Sequence, residues 1–136
     1  MNSLASASTI IRLGLHVLAA TVWVGGQFVM AGLVPTLRQL GPDAPRTAAQ
    51  RFGRVSWPAF WLLIATGVWN YAAVKGHVSS SSWNTAFAIK MVAVVASGVG
   101  AFLHTRARTP RSRGAWAGVS ALASVLALFL GVALAG

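Results

Sequence analysis

The sequence predicts an all-α integral membrane protein, an antiparallel bundle of four transmembrane helices with both termini outside the cell. Three observations lead there. The 136 residues are 56% hydrophobic and only 9% charged, whereas a soluble domain spends about 25% of its residues on charge. The apolar residues fall in four long runs separated by short polar ones. The 11 Lys and Arg residues, set against a single acid, cluster in alternate loops.

The four spans cover roughly residues 10–37, 55–75, 83–105 and 115–135 of one transmembrane domain. Each approaches or exceeds the ~20 residues a membrane helix needs. The first is longer than the ~7–15 apolar residues of a signal-peptide core, so it is expected to be retained. Gly41-Pro42 breaks the chain after it. Asp43 then suits a helix cap, with Pro45 in the first turn of a helix running through Arg46 and Arg54 into the second span. Pro58 is expected to kink that helix. Ser82, in the serine run 79–82, suits the cap of the third span. The fourth span carries no charge. Trp57, Trp61, Trp83 and Trp116 lie near span ends, where amphipathic rings prefer the headgroup region.

Charge sets the orientation. Arg38, Arg46, Arg51 and Arg54 flank the first connection, and Arg106, Arg108, Arg111 and Arg113 the third. Only Arg12 and Lys75 lie on the other side. The positive-inside rule puts the arginine-rich loops in the cytoplasm of a multi-pass protein of the cytoplasmic membrane. There they meet anionic lipid headgroups, so the net charge of +10 implies no nucleic-acid partner. Small residues four apart, such as Ala96 and Gly100, Gly114 and Gly118, Ser120 and Ser124, and Gly131 and Ala135, suit close helix packing within the bundle or in a homo-oligomer.

The composition excludes much chemistry. With no cysteine there is no disulfide, thiolate metal site or thiol catalysis. With Asp43 as the only acid there is no carboxylate pair and no carboxylate-based proton path. What remains is a handful of polar groups inside the apolar spans, which are functional hypotheses by default. His16 and Lys90 fall at similar depths in the first and third spans, about 9–10 Å below the outer boundary. Asn70 is at a comparable level in the second, so an outer-leaflet cluster of His16, Lys90 and Asn70 is expected. Lys90 either snorkels to the headgroups or faces inward as a ligand group. His16 either bonds to a neighbouring helix or ligates haem iron or copper. Trp23, Gly25 and Gly26 form a W-x-G-G segment that suits either tight packing or the face of a flat ligand. Met30 and Met91 are the internal thioethers, and His104 sits at a helix end.

Three segments together resemble CopD-like (copper resistance D) membrane proteins. They are His16 to Gly26 with Val34-Pro35-Thr36-Leu37-Arg38, Arg51-Phe52-Gly53-Arg54 leading to Ala65-Thr66-Gly67-Val68-Trp69-Asn70, and Phe87-Ala88-Ile89-Lys90-Met91 followed by His104 and Arg106. That resemblance implies copper handling or transport across the cytoplasmic membrane, with a copper ion met by His16, Met30, Met91 and His104. The soluble copper-binding domain common in that family is not in this sequence, which implies a separate copper-donor protein. The pattern of His16, Trp23, Gly26 and Lys90 also resembles HemJ-type protoporphyrinogen oxidases. It implies haem b as an alternative cofactor, held by His16, Lys90, Trp23 and Asn70. If the chain is an enzyme, this makes it a haem-dependent oxidoreductase. A third reading is a non-catalytic accessory subunit of a membrane complex.

Overall fold

The computed structural model describes residues 3–78 and 80–135 and is helical almost throughout, with no strand among them. Helix α1 (Ala7–Ala20) passes through a π-helical turn, Thr21–Gly25, into α2 (Gly26–Leu40). Helix α3 spans Ala44–Val74 and closes with a 3₁₀ turn, Lys75–His77. Helices α4 (Ser81–Arg106) and α5 (Pro110–Ala135) complete the chain. Three stretches are long and apolar enough to cross a membrane: Ala7–Leu40, Ser81–Arg106 and Pro110–Ala135. The helices extend past the expected spans of 10–37, 83–105 and 115–135. The added residues carry the basic and hydroxyl side chains that hold helix ends in polar surroundings. The chain divides into two compact units between His77 and Val78.

Helix starts follow local chemistry. The Ser6 hydroxyl accepts the Thr9 N–H at the head of α1. Gly41, at φ 149°, makes the sharp turn after α2 that a residue with a Cβ would resist. Helix α3 runs unbroken from Ala44 through Pro58. Asp43 stands at its N-cap, but the carboxylate makes no capping bond; the Asp43 carbonyl accepts Thr47 N–H instead. The side-chain cap of α4 is Ser80 rather than Ser82, because the Ser80 oxygen accepts the Trp83 N–H and leaves Ser82 inside the first turn. At α5, Thr109 Oγ1 accepts Ser112 N–H and Pro110 follows as the first helical residue.

The first unit pairs α1 and α2 with α3, antiparallel. The π turn brings two successive residues, Trp23 and Val24, to the buried side. The Trp23 ring packs between Trp57 and Phe60 of α3, with centroids 5.3 and 4.6 Å away. Side chains bracket the turn. Thr21 Oγ1 donates to the Val17 carbonyl at 2.8 Å, and Gln27 Nε2 donates to the Trp23 carbonyl at 3.1 Å. Each of these bonds joins a side chain to the carbonyl four residues earlier.

The second unit is an α4–α5 hairpin zipped by small residues. Ala93, Ser97 and Gly100 are buried on α4, and Ser120, Ser124 and Ala127 on α5. Ser120 Oγ donates to the Ser97 carbonyl at 2.8 Å. A Cβ at Gly100 would lie 2.9 Å from Ser120 N and 3.1 Å from the Trp116 carbonyl oxygen. Of the small residues singled out by spacing, Gly100, Ser120 and Ser124 make this seam, whereas a Cβ at Gly114 or Gly118 would meet nothing within 4 Å.

Because the atoms facing Gly100 are backbone, they cannot swing aside. Gly100→Ala is expected to push the hairpin apart and destabilise the protein by about 1–3 kcal/mol. Gly118→Ala is expected to be neutral or slightly stabilising. Thermal unfolding of both variants in detergent checks the contrast.

A polar ladder between the first and third helices

The candidate site is built from two pairs of residues four apart. Arg12 and His16 share one face of α1, and Thr66 and Asn70 share one face of α3. Antiparallel packing matches them turn for turn. Arg12 Nη1 donates to Asn70 Oδ1 at 2.7 Å, and one turn further in His16 Nδ1 lies 2.7 Å from Thr66 Oγ1. The imidazole packs against α3 at Gly67, where a Cβ would make an ordinary 3.6 Å contact with His16 Cε1.

Donor accounting assigns the imidazole tautomer. Thr66 is 2% exposed, and its hydroxyl lies 2.7 Å from the Leu62 carbonyl and 3.2 Å from that of Leu63. A hydroxyl has one proton, and here it points into its own helix. Toward His16 the Thr66 oxygen therefore accepts, and Nδ1 carries the proton. In the neutral ring, Nε2 is then the basic nitrogen. A ring held through Nδ1 in this way is oriented as ligating histidines are.

The other expected residues lie elsewhere. Trp23 is 3% exposed, with Trp57 and Phe60 against it. Met30 lines an apolar groove with Thr21, Val22, Gly25, Gly26, Val29 and Phe52. His16 and Met30 are 14 residues apart on one continuous helical run, or about 21 Å along its axis. Met91 and His104 stand about 20 Å apart along α4 by the same rise. Within each unit, then, the expected copper donors do not converge. Among the described residues no group of three or more His, Cys, Asp or Glu could hold a metal ion. His104 Nδ1 donates to the Arg113 carbonyl at 2.8 Å and ties the arginine-rich turn of the hairpin together.

Lys90 belongs to the second unit. Trp83 Nε1 donates to the Leu134 carbonyl at 3.2 Å, and Ser120 to that of Ser97. Lys90 is midway between Trp83 and Ser97, so the residue facing it on α5 is Ala127, midway between Leu134 and Ser120. The ammonium instead lies 3.1 Å from where a Gly131 Cβ would be, one turn nearer the Trp83 end. The side chain thus leans along α5 toward the end of the hairpin. There it also lies near the carbonyl end of the α5 dipole.

Two residues of the ladder escaped the sequence reading. Arg12 counted only as an orienting charge, and Thr66 stood out only within the Ala65–Asn70 segment of the resemblance. The available signal was the matched four-residue spacing of Arg12 with His16 and of Thr66 with Asn70. Comparison with protein-family models, curated proteins and solved structures returns no match.

The ladder has a spectroscopic signature. ¹⁵N NMR of the histidine-labelled protein is expected to show His16 as the Nδ1–H tautomer at neutral pH. Thr66→Val removes the acceptor, and the tautomer signal is expected to broaden or switch. The variant should lose about 1–3 kcal/mol of stability, the cost of stranding a polar group.

Proposed function

We propose that this chain is a multi-pass protein of the cytoplasmic membrane that binds a haem-type ligand through His16. All four long helical stretches cross the bilayer in this reading. Helix α3 carries Arg46, Arg51 and Arg54 in its first three turns. The stretch from Val55 to Val74 leaves about 20 residues, roughly 30 Å, to span the hydrocarbon core. Tryptophans, Asn70 and Tyr71 make it less apolar than the other three. The basic turns between α2 and α3 and between α4 and α5 lie in the cytoplasm, with both termini outside. Arg12 and Asn70 then stand near the outer boundary, with His16 one turn inside.

One observation carries the ligand reading: the Thr66 hydroxyl, itself bonded to its own helix, holds the His16 imidazole through Nδ1. A haem needs only one or two side-chain ligands. A copper(I) site needs several soft donors brought together, and within each unit these are far apart. A bound haem b would supply one-electron redox chemistry at its iron. The chain's own contribution is to hold the imidazole, with Thr66 fixing its tilt and Arg12, held by Asn70, offering a cation to the carboxylates of the ligand. The copper handling implied by the CopD-like resemblance is the second reading, in which His16, Met30, Met91 and His104 act in succession.

The test is the visible spectrum of purified protein supplied with haem. A Soret band is expected, reduced at least tenfold in His16→Ala and shifted or weakened in Thr66→Val. If neither wild type nor variant takes up haem, the haem reading fails. Copper(I) binding lost in Met30→Leu and His104→Ala would then establish copper handling.

A further inference from the structure

We propose that Lys90 anchors a phosphate-binding site at the Trp83 end of the α4–α5 hairpin, and that its occupant is the headgroup of an anionic phospholipid. Lys90 is half-buried on the face of α4 that meets α5, in line with Trp83, Val94 and Ser97. Its ammonium lies 3.1 Å from where a Gly131 Cβ would be, so α5 presents bare backbone to it at that point. Among the described residues nothing accepts a hydrogen bond from this ammonium. It is not sealed in, because no fully buried side-chain nitrogen or oxygen among those residues lacks a partner. Its three N–H donors are therefore open to whatever surrounds the hairpin at that depth.

Depth and charge select the occupant. Gly131 is four residues from Ala135, the last residue of α5, so the ammonium sits about 6 Å inside that end. Both helices have 26 residues, about 39 Å, which exceeds the ~30 Å hydrocarbon core. With the excess shared between the two ends, the ammonium lies within about 3 Å of the core boundary. The oxyanion nearest to that level in a bilayer is a lipid phosphate. Neither α4 nor α5 contains an acid to compete for the cation. Helix α4 begins at the same end, and the positive end of its dipole also favours an anion there. Ile89, Phe129 and Val132, close to that level and exposed, offer the acyl chains an apolar surface. The proposal rests on the chain lying in a bilayer, and on neither haem nor copper. Alkaline carbonate extraction of membranes tests that premise separately.

The experiment exploits the fact that Lys75 and Lys90 are the only lysines of the sequence. Labelling lysine with ¹³C at Cε gives two NMR signals, and Lys75, exposed in the 3₁₀ turn, is the internal control. The full chain in detergent is titrated with dioleoyl-phosphatidylglycerol, dioleoyl-phosphatidylcholine or glycerol 3-phosphate. Phosphatidylglycerol is expected to shift the Lys90 signal saturably and to leave Lys75 nearly unmoved, with the other two titrants much weaker. Native mass spectrometry should show retention of phosphatidylglycerol reduced about fivefold in Lys90→Met and preserved in Lys90→Arg. Lys90→Gln replaces Lys90→Met if the latter fails to fold. Equal shifts of both lysines would show general attraction of cations to anionic lipid and overturn the proposal. Unchanged retention in a folded Lys90→Met or Lys90→Gln variant overturns it as well. So does saturation of Lys90 by glycerol 3-phosphate at the same concentration, which would show a site for free phosphate instead of lipid.

Discussion

Polar side chains in these apolar helices have no carboxylate to pair with, because the sole acid of the sequence, Asp43, stands at the start of α3. In hydrocarbon an unsatisfied polar group costs several kcal/mol. Each must therefore bond to a backbone carbonyl or a neutral side chain. Both units obey this constraint. His16 meets Thr66 and Arg12 meets Asn70 across the first, while Trp83, Ser120 and His104 each donate to a carbonyl across the second. Among the described residues no fully buried side-chain nitrogen or oxygen lacks a partner. Individual bonds of this kind between membrane helices contribute only about 0.6 kcal/mol on average. Their larger effect is on register, since each joins one position on one helix to one on its neighbour.

Register in turn distributes the chemistry of the first unit. Locking Arg12 to Asn70 and His16 to Thr66 leaves the aromatic residues to fill the space beyond, where Trp23 enters between Trp57 and Phe60. The Trp23 ring comes from the π turn, and Gly26 after it lets α2 approach Phe52, since a Cβ there would lie 2.5 Å from Phe52 Cε2. A polar, oriented imidazole near one end and an apolar groove against Phe52 toward the other arise from the same helix pair. The second unit is built differently. Its seam of serine, alanine and glycine brings α4 and α5 backbone to backbone, and leaves the Lys90 stem to lie along α5 beside Gly131.

Much of this was legible in the residues. Long apolar runs can only be helices in lipid, because a helix satisfies its own backbone, and the breaks at Gly41-Pro42 and after Arg106 are local chemistry. His16 and Asn70 stood out because polar residues inside apolar runs are costly. Their partners were harder to see. Arg12 near a helix start reads as a surface charge, and a threonine ordinarily bonds to its own helix, as Thr66 also does here. Spacing within one helix identifies a face; it does not say which face of another helix meets it.

The sequence by itself determined the helical class, the breaks between helices, the clustering of basic charge and the scarcity of acids, because each follows from local conformational preference or from composition. Only the tertiary structure decided that Thr66 accepts from His16, that Trp23 belongs to an aromatic core and that Lys90 leans toward Gly131. It alone decided that Gly26 makes room for Phe52. These depend on the rotation and register of one helix against another, and that is settled by packing across the pair.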